Sequence, residues 1–192
     1  MKALAVCGIK NSGKTTTTEH IIAELMRRGY RVGSAKYIHC DGFEMDASPE
    51  TDTRRHREAG SCMVAAHAKA ETSLLFPERL PTKKLLTFYE EYALCDWVVL
   101  EGVSDIAVPT IVTAHATDDL MMKWSDMVFA VSGRISAEIA GFYGIPAIDA
   151  TSDIKKLVNL IEDKVFDWKV DFTHSRYLIN NLQEPSFMRS YA

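Results

Sequence analysis

Eight residues close to the amino terminus constrain this chain more than any others: Gly8-Ile9-Lys10-Asn11-Ser12-Gly13-Lys14-Thr15 fit GxxxxGK[ST] in full. Before them, Lys2 to Gly8 is a short apolar run ending in glycine. After them, Lys14 to Arg28 sets Ile21, Ile22, Leu25 and Met26 on one helical face. Strand, glycine-rich turn and helix, in that order, are the context in which this pattern holds a phosphate. Glycines at 8 and 13 let the backbone wrap closely round an anion, so that N–H groups from Asn11 to Thr16 point inward at a helix N-terminus. Gly8, Asn11, Ser12, Gly13, Lys14, Thr15 and Thr16 are therefore the expected phosphate-binding set. Lys14 would neutralise β- and γ-phosphates, and Thr15 would offer its hydroxyl to Mg²⁺. Lys10, in the same loop, reads equally as phosphate-facing or solvated.

The rest of the chain alternates in the way such a site requires. Strands are expected at Arg31 to Ile38, Cys62 to Ala68, Thr72 to Phe76, Asp96 to Glu101, Pro109 to Thr113, Asp126 to Val131 and Ile145 to Ile148. Helical spacing marks Thr53 to Ala59, Thr82 to Leu94, Thr117 to Trp124, Ile135 to Tyr143 and Ser152 to Val165. Alternation of this kind predicts an α/β, three-layer P-loop NTPase fold, with a mostly parallel central sheet and helices on both faces. At 192 residues and 47% hydrophobic composition the chain can bury one core. The expected division is a nucleotide-binding domain over 1–167 and a C-terminal arm over 168–192, where no clear period is visible.

A second feature should stand opposite the first. Trp97-Val98-Val99-Leu100-Glu101-Gly102 has the form of a Walker B strand, so that Glu101 would hold Mg²⁺ directly or through water. An acid that merely ends a core strand is the plain alternative. The polar stretch from Asp41 to Asp52 exceeds the usual ~4–6 residue connection, and loops of that length tend to carry function. Within it Asp46 and Asp52 are candidates to coordinate Mg²⁺ or orient an attacking water, with Arg54 or Arg55 near the γ-phosphate. Lys14, Asp46, Asp52 and Arg55 are thus the catalytic candidates, and Thr15, Glu101 and Asp46 the metal candidates. Solvated surface charge explains each loop residue singly about as well.

Charge narrows the partners. With 22 basic and 26 acidic residues and a formal net charge of -4, the chain exerts no long-range pull on nucleic acid or anionic lipid, so a polyanion must be bound locally. No stretch approaches the ~20 apolar residues of a membrane span, and no export signal is visible. Cys7, Cys40, Cys62 and Cys95 form no CxxC pair, which suits reduced, mostly buried thiols in the cytoplasm.

Three ordered pieces resemble the molybdopterin-guanine dinucleotide biosynthesis protein B (MobB) family: GIKNSGKTT at 8 to 16, KYIHCDGFEMD at 36 to 46 running into TDTRRHREAG at 51 to 60, and DWVVLEG at 96 to 102. Lys36, His39, Phe43, Asp46, Asp52, Thr53, Arg55, Ala59 and Gly60 occupy the family's characteristic places. Tyr37 and Cys40 stand where the family usually has histidine, and Glu50-Thr51 replaces the usual Gly-Lys. The resemblance implies GTP binding with Mg²⁺, slow hydrolysis, a homodimer, and help to a molybdopterin guanylyltransferase-type partner enzyme in attaching GMP to molybdopterin. Guanine is implied by the resemblance alone, since no [NT]KxD sequence occurs. Thr113, His115, Asp118 and Asp119 follow a late strand where a base-reading loop could lie.

Two other functions fit the same residues. One is a P-loop kinase acting on a small molecule, with the long loop as a lid. The other is a nucleotide-switched metallochaperone in which His39 and Cys40 carry a metal, although two adjacent ligands make a poor cage.

Overall fold

A computed structural model of the protein describes residues 1–40, 42–45, 48 and 50–168. Asp46 and residues 169–192 of the expected arm lie outside the described residues.

Five strands form the central sheet: β1 (Lys2–Gly8), β2 (Val32–Lys36), β5 (Trp97–Glu101), β6 (Thr110–Thr113) and β7 (Val128–Ser132). Their order is β2-β5-β1-β6-β7, and every neighbouring pair is parallel. All five residues of β5 are buried, as expected of a continuous apolar run covered on both faces. Side chains of β1 alternate between two layers. Leu4 and Val6 join Ile21 and Leu25 of α1 (Lys14–Arg27) and Leu157, Val158 and Ile161 of α5 (Ile154–Lys164). Ala3 and Ala5 face the other way, with Leu86 of α3 (Thr82–Glu91). Each fully buried leucine or isoleucine contributes about 2 kcal/mol, so these helix faces hold both outer layers on the sheet. The expected three-layer P-loop architecture is what the chain adopts.

Two smaller pieces complete the description. Strands β3 (Val64–His67) and β4 (Thr72–Leu75) pair antiparallel apart from the main sheet, after α2 (Asp52–Glu58). A third cluster packs Leu120 of α4 (Thr117–Met121) against Val112, Val128 and Val131. Trp168 is buried, and its backbone N–H donates to the Met1 carbonyl.

The stretch Ile135 to Tyr143 is not the expected helix. Arg134–Ala137 makes a single 3-10 turn, and Gly141–Phe142 (β8) then pairs with Ile145–Pro146 (β9). Tyr143 and Gly144 have φ of 48° and 77°, the paired left-handed conformation of a two-residue hairpin turn. Ile135, Ile139 and Phe142 do share one apolar cluster, which is why their spacing imitates a helix. The ninth strand accordingly shrinks to two residues. The cysteines also differ from expectation: Cys7 and Cys95 are only half-buried, and Cys40 and Cys62 are exposed.

Candidate functional site

Register places the chemistry. In the parallel sheet Val6 lies beside Glu101, Glu101 beside Lys36, and Gly8 beside Thr113. Each strand therefore delivers its last residue to one carboxyl edge, the edge at which open α/β sheets bind ligands. The β1–α1 turn is built into that edge by close packing. A methyl group at Gly8 would lie 2.2 Å from the Thr113 carbonyl oxygen, and one at Gly133 would lie 2.3 Å from the Ser12 carbonyl oxygen. Ser12 is fully buried, its hydroxyl 2.7 Å from that of Thr113. Its side chain thus anchors the loop, and its backbone N–H is turned to the Ile9 carbonyl at 3.4 Å.

Helix α1 begins with its donors open. Gly13 precedes it at φ 103°, no side chain caps it, and no acid stands in its first turn. The N–H groups of Gly13, Lys14, Thr15 and Thr16 have no protein acceptor among the described residues. A helix start without a cap or an acid leaves its partial positive charge for a bound anion. The Lys14 ammonium lies over the same turn, donating to the carbonyls of Gly8 (3.1 Å) and Ile9. Partial burial pulls its pKa below the usual lysine value, against the attraction of Glu101 and together with the repulsion of Lys36.

Thr15, in the first turn of the helix that follows β1, and Glu101, at the end of the neighbouring β5, meet as the sequence predicts: the hydroxyl donates to Glu101 Oε1 at 2.7 Å. Glu101 is only 6% exposed. A third group joins them. Lys36 Nζ is 2.9 Å from Glu101 Oε1 and 3.3 Å from Thr15 Oγ1. A carboxylate and a hydroxyl are hard oxygen donors of the kind Mg²⁺ takes, and the pair already holds a cation, so the donor set fits that ion. Lys36 was not among the metal candidates. Its signal was its place at the end of a strand parallel to the one bearing Glu101, which needs register to be seen.

An open cleft of ≈ 1560 Å³ runs over this edge. On the Glu101 side it is lined by Tyr37, His39 and Cys40, with the Tyr37 and His39 rings edge to face at 4.3 Å. On the other side of the helix start it continues past Arg134, Asp149 and Thr151. Asp149 accepts the backbone N–H and the hydroxyl of Thr151, both at 2.8 Å, and the backbone bond first among these holds its carboxyl below the usual range. Arg134, Asp149 and Thr151 escaped the sequence reading, and Gly133 directly after a strand was the only local hint.

The remaining candidates divide. His115 lines the cleft, its ring nitrogen 3.3 Å from the Lys10 carbonyl oxygen. Asp119 instead accepts the N–H groups of His115 and Ala116, and Thr113 is buried against the phosphate turn. Asp52 and Arg55 sit on α2, 3.4 Å from each other, with side chains 87% and 73% exposed, and neither lines the cleft. Arg54 pairs with Glu44 and Glu58. Among the described residues no three His, Cys, Asp or Glu side chains converge to hold a metal. None of the described helices is long and apolar enough to cross a membrane.

The same architecture recurs in known structures. A Bacillus subtilis MobB structure superposes with a TM-score of 0.71 at 22% identity, covering 86% of this chain and 99% of the other. A MobB protein homolog from Bacillus stearothermophilus gives 0.62 at 21% identity, covering 84% and 96%. At the sequence level the chain is 24% identical over 149 residues to a probable molybdopterin-guanine dinucleotide biosynthesis adapter protein of Bacillus subtilis, covering 78% of this chain and 86% of that protein. It is 30% identical over 109 residues to a Haemophilus influenzae adapter protein of the same designation, of which it spans 60%. Residues 3–133 match the family described as molybdopterin guanine dinucleotide synthesis protein B, and this chain belongs to that family, MobB.

Proposed function

We propose that the protein binds GTP with Mg²⁺ at the β1–α1 turn, hydrolyses it slowly, and serves as an accessory to a guanylyltransferase-type enzyme that attaches GMP to molybdopterin. The uncapped start of α1, whose own Thr15 hydroxyl meets Glu101 at the end of β5, is the observation that carries this reading. In it the amides of Gly13 to Thr16 bind the phosphate oxygens, and Lys14 leaves the loop carbonyls for the β- and γ-phosphates. Thr15 and Glu101 would hold the metal, which supplies positive charge to the terminal phosphates. Asp52 and Arg55 reach the phosphates in this scheme only if α2 moves toward the cleft. A homodimer acting in the cytoplasm, with no nucleic-acid partner, completes the proposal and follows from the family.

Parallel titrations with GTP and ATP, followed by turnover with and without the partner enzyme, test it. Tighter binding of GTP and slow phosphate release that changes when the partner is added are expected. Preference for ATP, or phosphorylation of a small acceptor by the purified protein alone, would favour the kinase alternative instead.

A further inference from the structure

The cleft does not end at Glu101. Beside it lies a second hollow of ≈ 610 Å³, and the two share Cys7, Ser104 and Lys123 as common wall. Its volume is that of a site for one small molecule, in the range of roughly 300–1,000 Å³. Its floor is Val103 and Val108, both buried, and its far wall is Trp124 and Met127. The Cys7 thiol donates to the Val103 carbonyl at 3.2 Å, which closes the floor against the phosphate turn.

Charge gives this hollow a preference. Lys123 has neither a carboxylate nor a hydrogen-bond acceptor at its ammonium among the described residues. The acid in the same wall, Asp105, is already engaged: Arg79 and Thr82 each donate to it at 2.7 Å. Ser104 and Lys123 are both exposed in the lining of the hollow. An unpaired cation at the mouth and an aromatic wall behind it together suit an anion carried on a flat, apolar body.

We infer that this hollow is a second ligand site, for a small phosphorylated or carboxylated ring compound whose anionic end meets Lys123 and whose ring lies against Trp124. It adjoins the Glu101 end of the cleft, so nucleotide and second ligand occupy it side by side. The site stands whether the nucleotide is GTP or ATP.

Phenyl phosphate is the probe, titrated against the full chain with and without saturating GTP and Mg²⁺ while tryptophan fluorescence is followed. Trp97 and Trp168 are buried, at 2% and 7% exposure, so the response should come from Trp124 and vanish in Trp124→Phe. Saturable binding that persists with nucleotide present, weakens at least tenfold in Lys123→Met, recovers in Lys123→Arg and is absent with phenol is the expected result. Loss of the signal on adding GTP, equal binding of phenol, or full affinity in Lys123→Met would overturn the assignment. Should no purine triphosphate bind at all, the proposed function falls, while the titration without nucleotide still decides the second site.

Discussion

The segment after β1 and the segment after β2 leave the same edge of the same sheet, yet different forces hold them. The first, Gly8 to Thr16, is wedged by close contact: the Gly8 backbone against Thr113, the buried Ser12 hydroxyl against that of Thr113, and Gly133 against the Ser12 carbonyl. The second runs into α2, which has no buried residue. It rests on Thr51, whose side chain accepts the Arg54 N–H, and on charge pairs of Glu44 with Arg54 and Arg57. These pairs are half-buried at the surface, and surface pairs contribute roughly 0–1 kcal/mol each. Close packing fixes a position to within tenths of an ångström, whereas surface ion pairs permit several arrangements at little cost. Geometry in the first segment is therefore ready before a ligand arrives, and in the second it can wait for one.

Substitutions can break that contrast, beginning where the effect is largest. Lys14→Ala should lower nucleotide affinity about 30- to 150-fold, since a charge-assisted hydrogen bond is worth ~2–3 kcal/mol, while the circular dichroism spectrum stays unchanged. Unaltered affinity would mean that the phosphates bind elsewhere. Next come the groups that meet at Glu101. Glu101→Gln should raise the Mg²⁺ concentration needed for half-maximal binding roughly tenfold, a loss of ~1.4 kcal/mol. Lys36→Met should cost the metal-free protein roughly 1 kcal/mol, because a mostly buried carboxylate loses its cation, and Mg²⁺ alone should then raise the melting temperature more than in the parent chain. Identical melting curves with and without metal would show that the ammonium and the ion do not share the site. The smallest effect belongs to the second segment. Asp52→Ala and Arg55→Ala should change GTP affinity and hydrolysis by less than about threefold, as expected of an exposed pair. A drop of tenfold or more in hydrolysis would instead mean that α2 closes over the phosphates.

The same contrast explains what the sequence could disclose. The phosphate turn and Glu101 were legible because each is a local pattern, one residue type at each fixed offset in a strand-turn-helix or a buried strand. Lys36, Arg134 and Asp149 were not, because they come to the cleft from strands and turns far apart in sequence, through a sheet order that local spacing does not encode. The helix expected over 135–143 failed for a related reason. Apolar residues at helical spacing serve a 3-10 turn and a hairpin equally well, and Gly141, Gly144 and Pro146 supplied the turn chemistry that decided between them. Asp52 looked close to the phosphates along the chain, but as the first residue of α2 its side chain pairs with Arg55 one turn on.

The account rests on a triphosphate seated on the bare amides that open α1. Isothermal titration of the protein with GTP and Mg²⁺ examines that most directly. It should give a saturable heat at one nucleotide per chain that inorganic phosphate alone does not reproduce. No heat of binding for GTP, ATP or any other purine triphosphate at high protein concentration would contradict it.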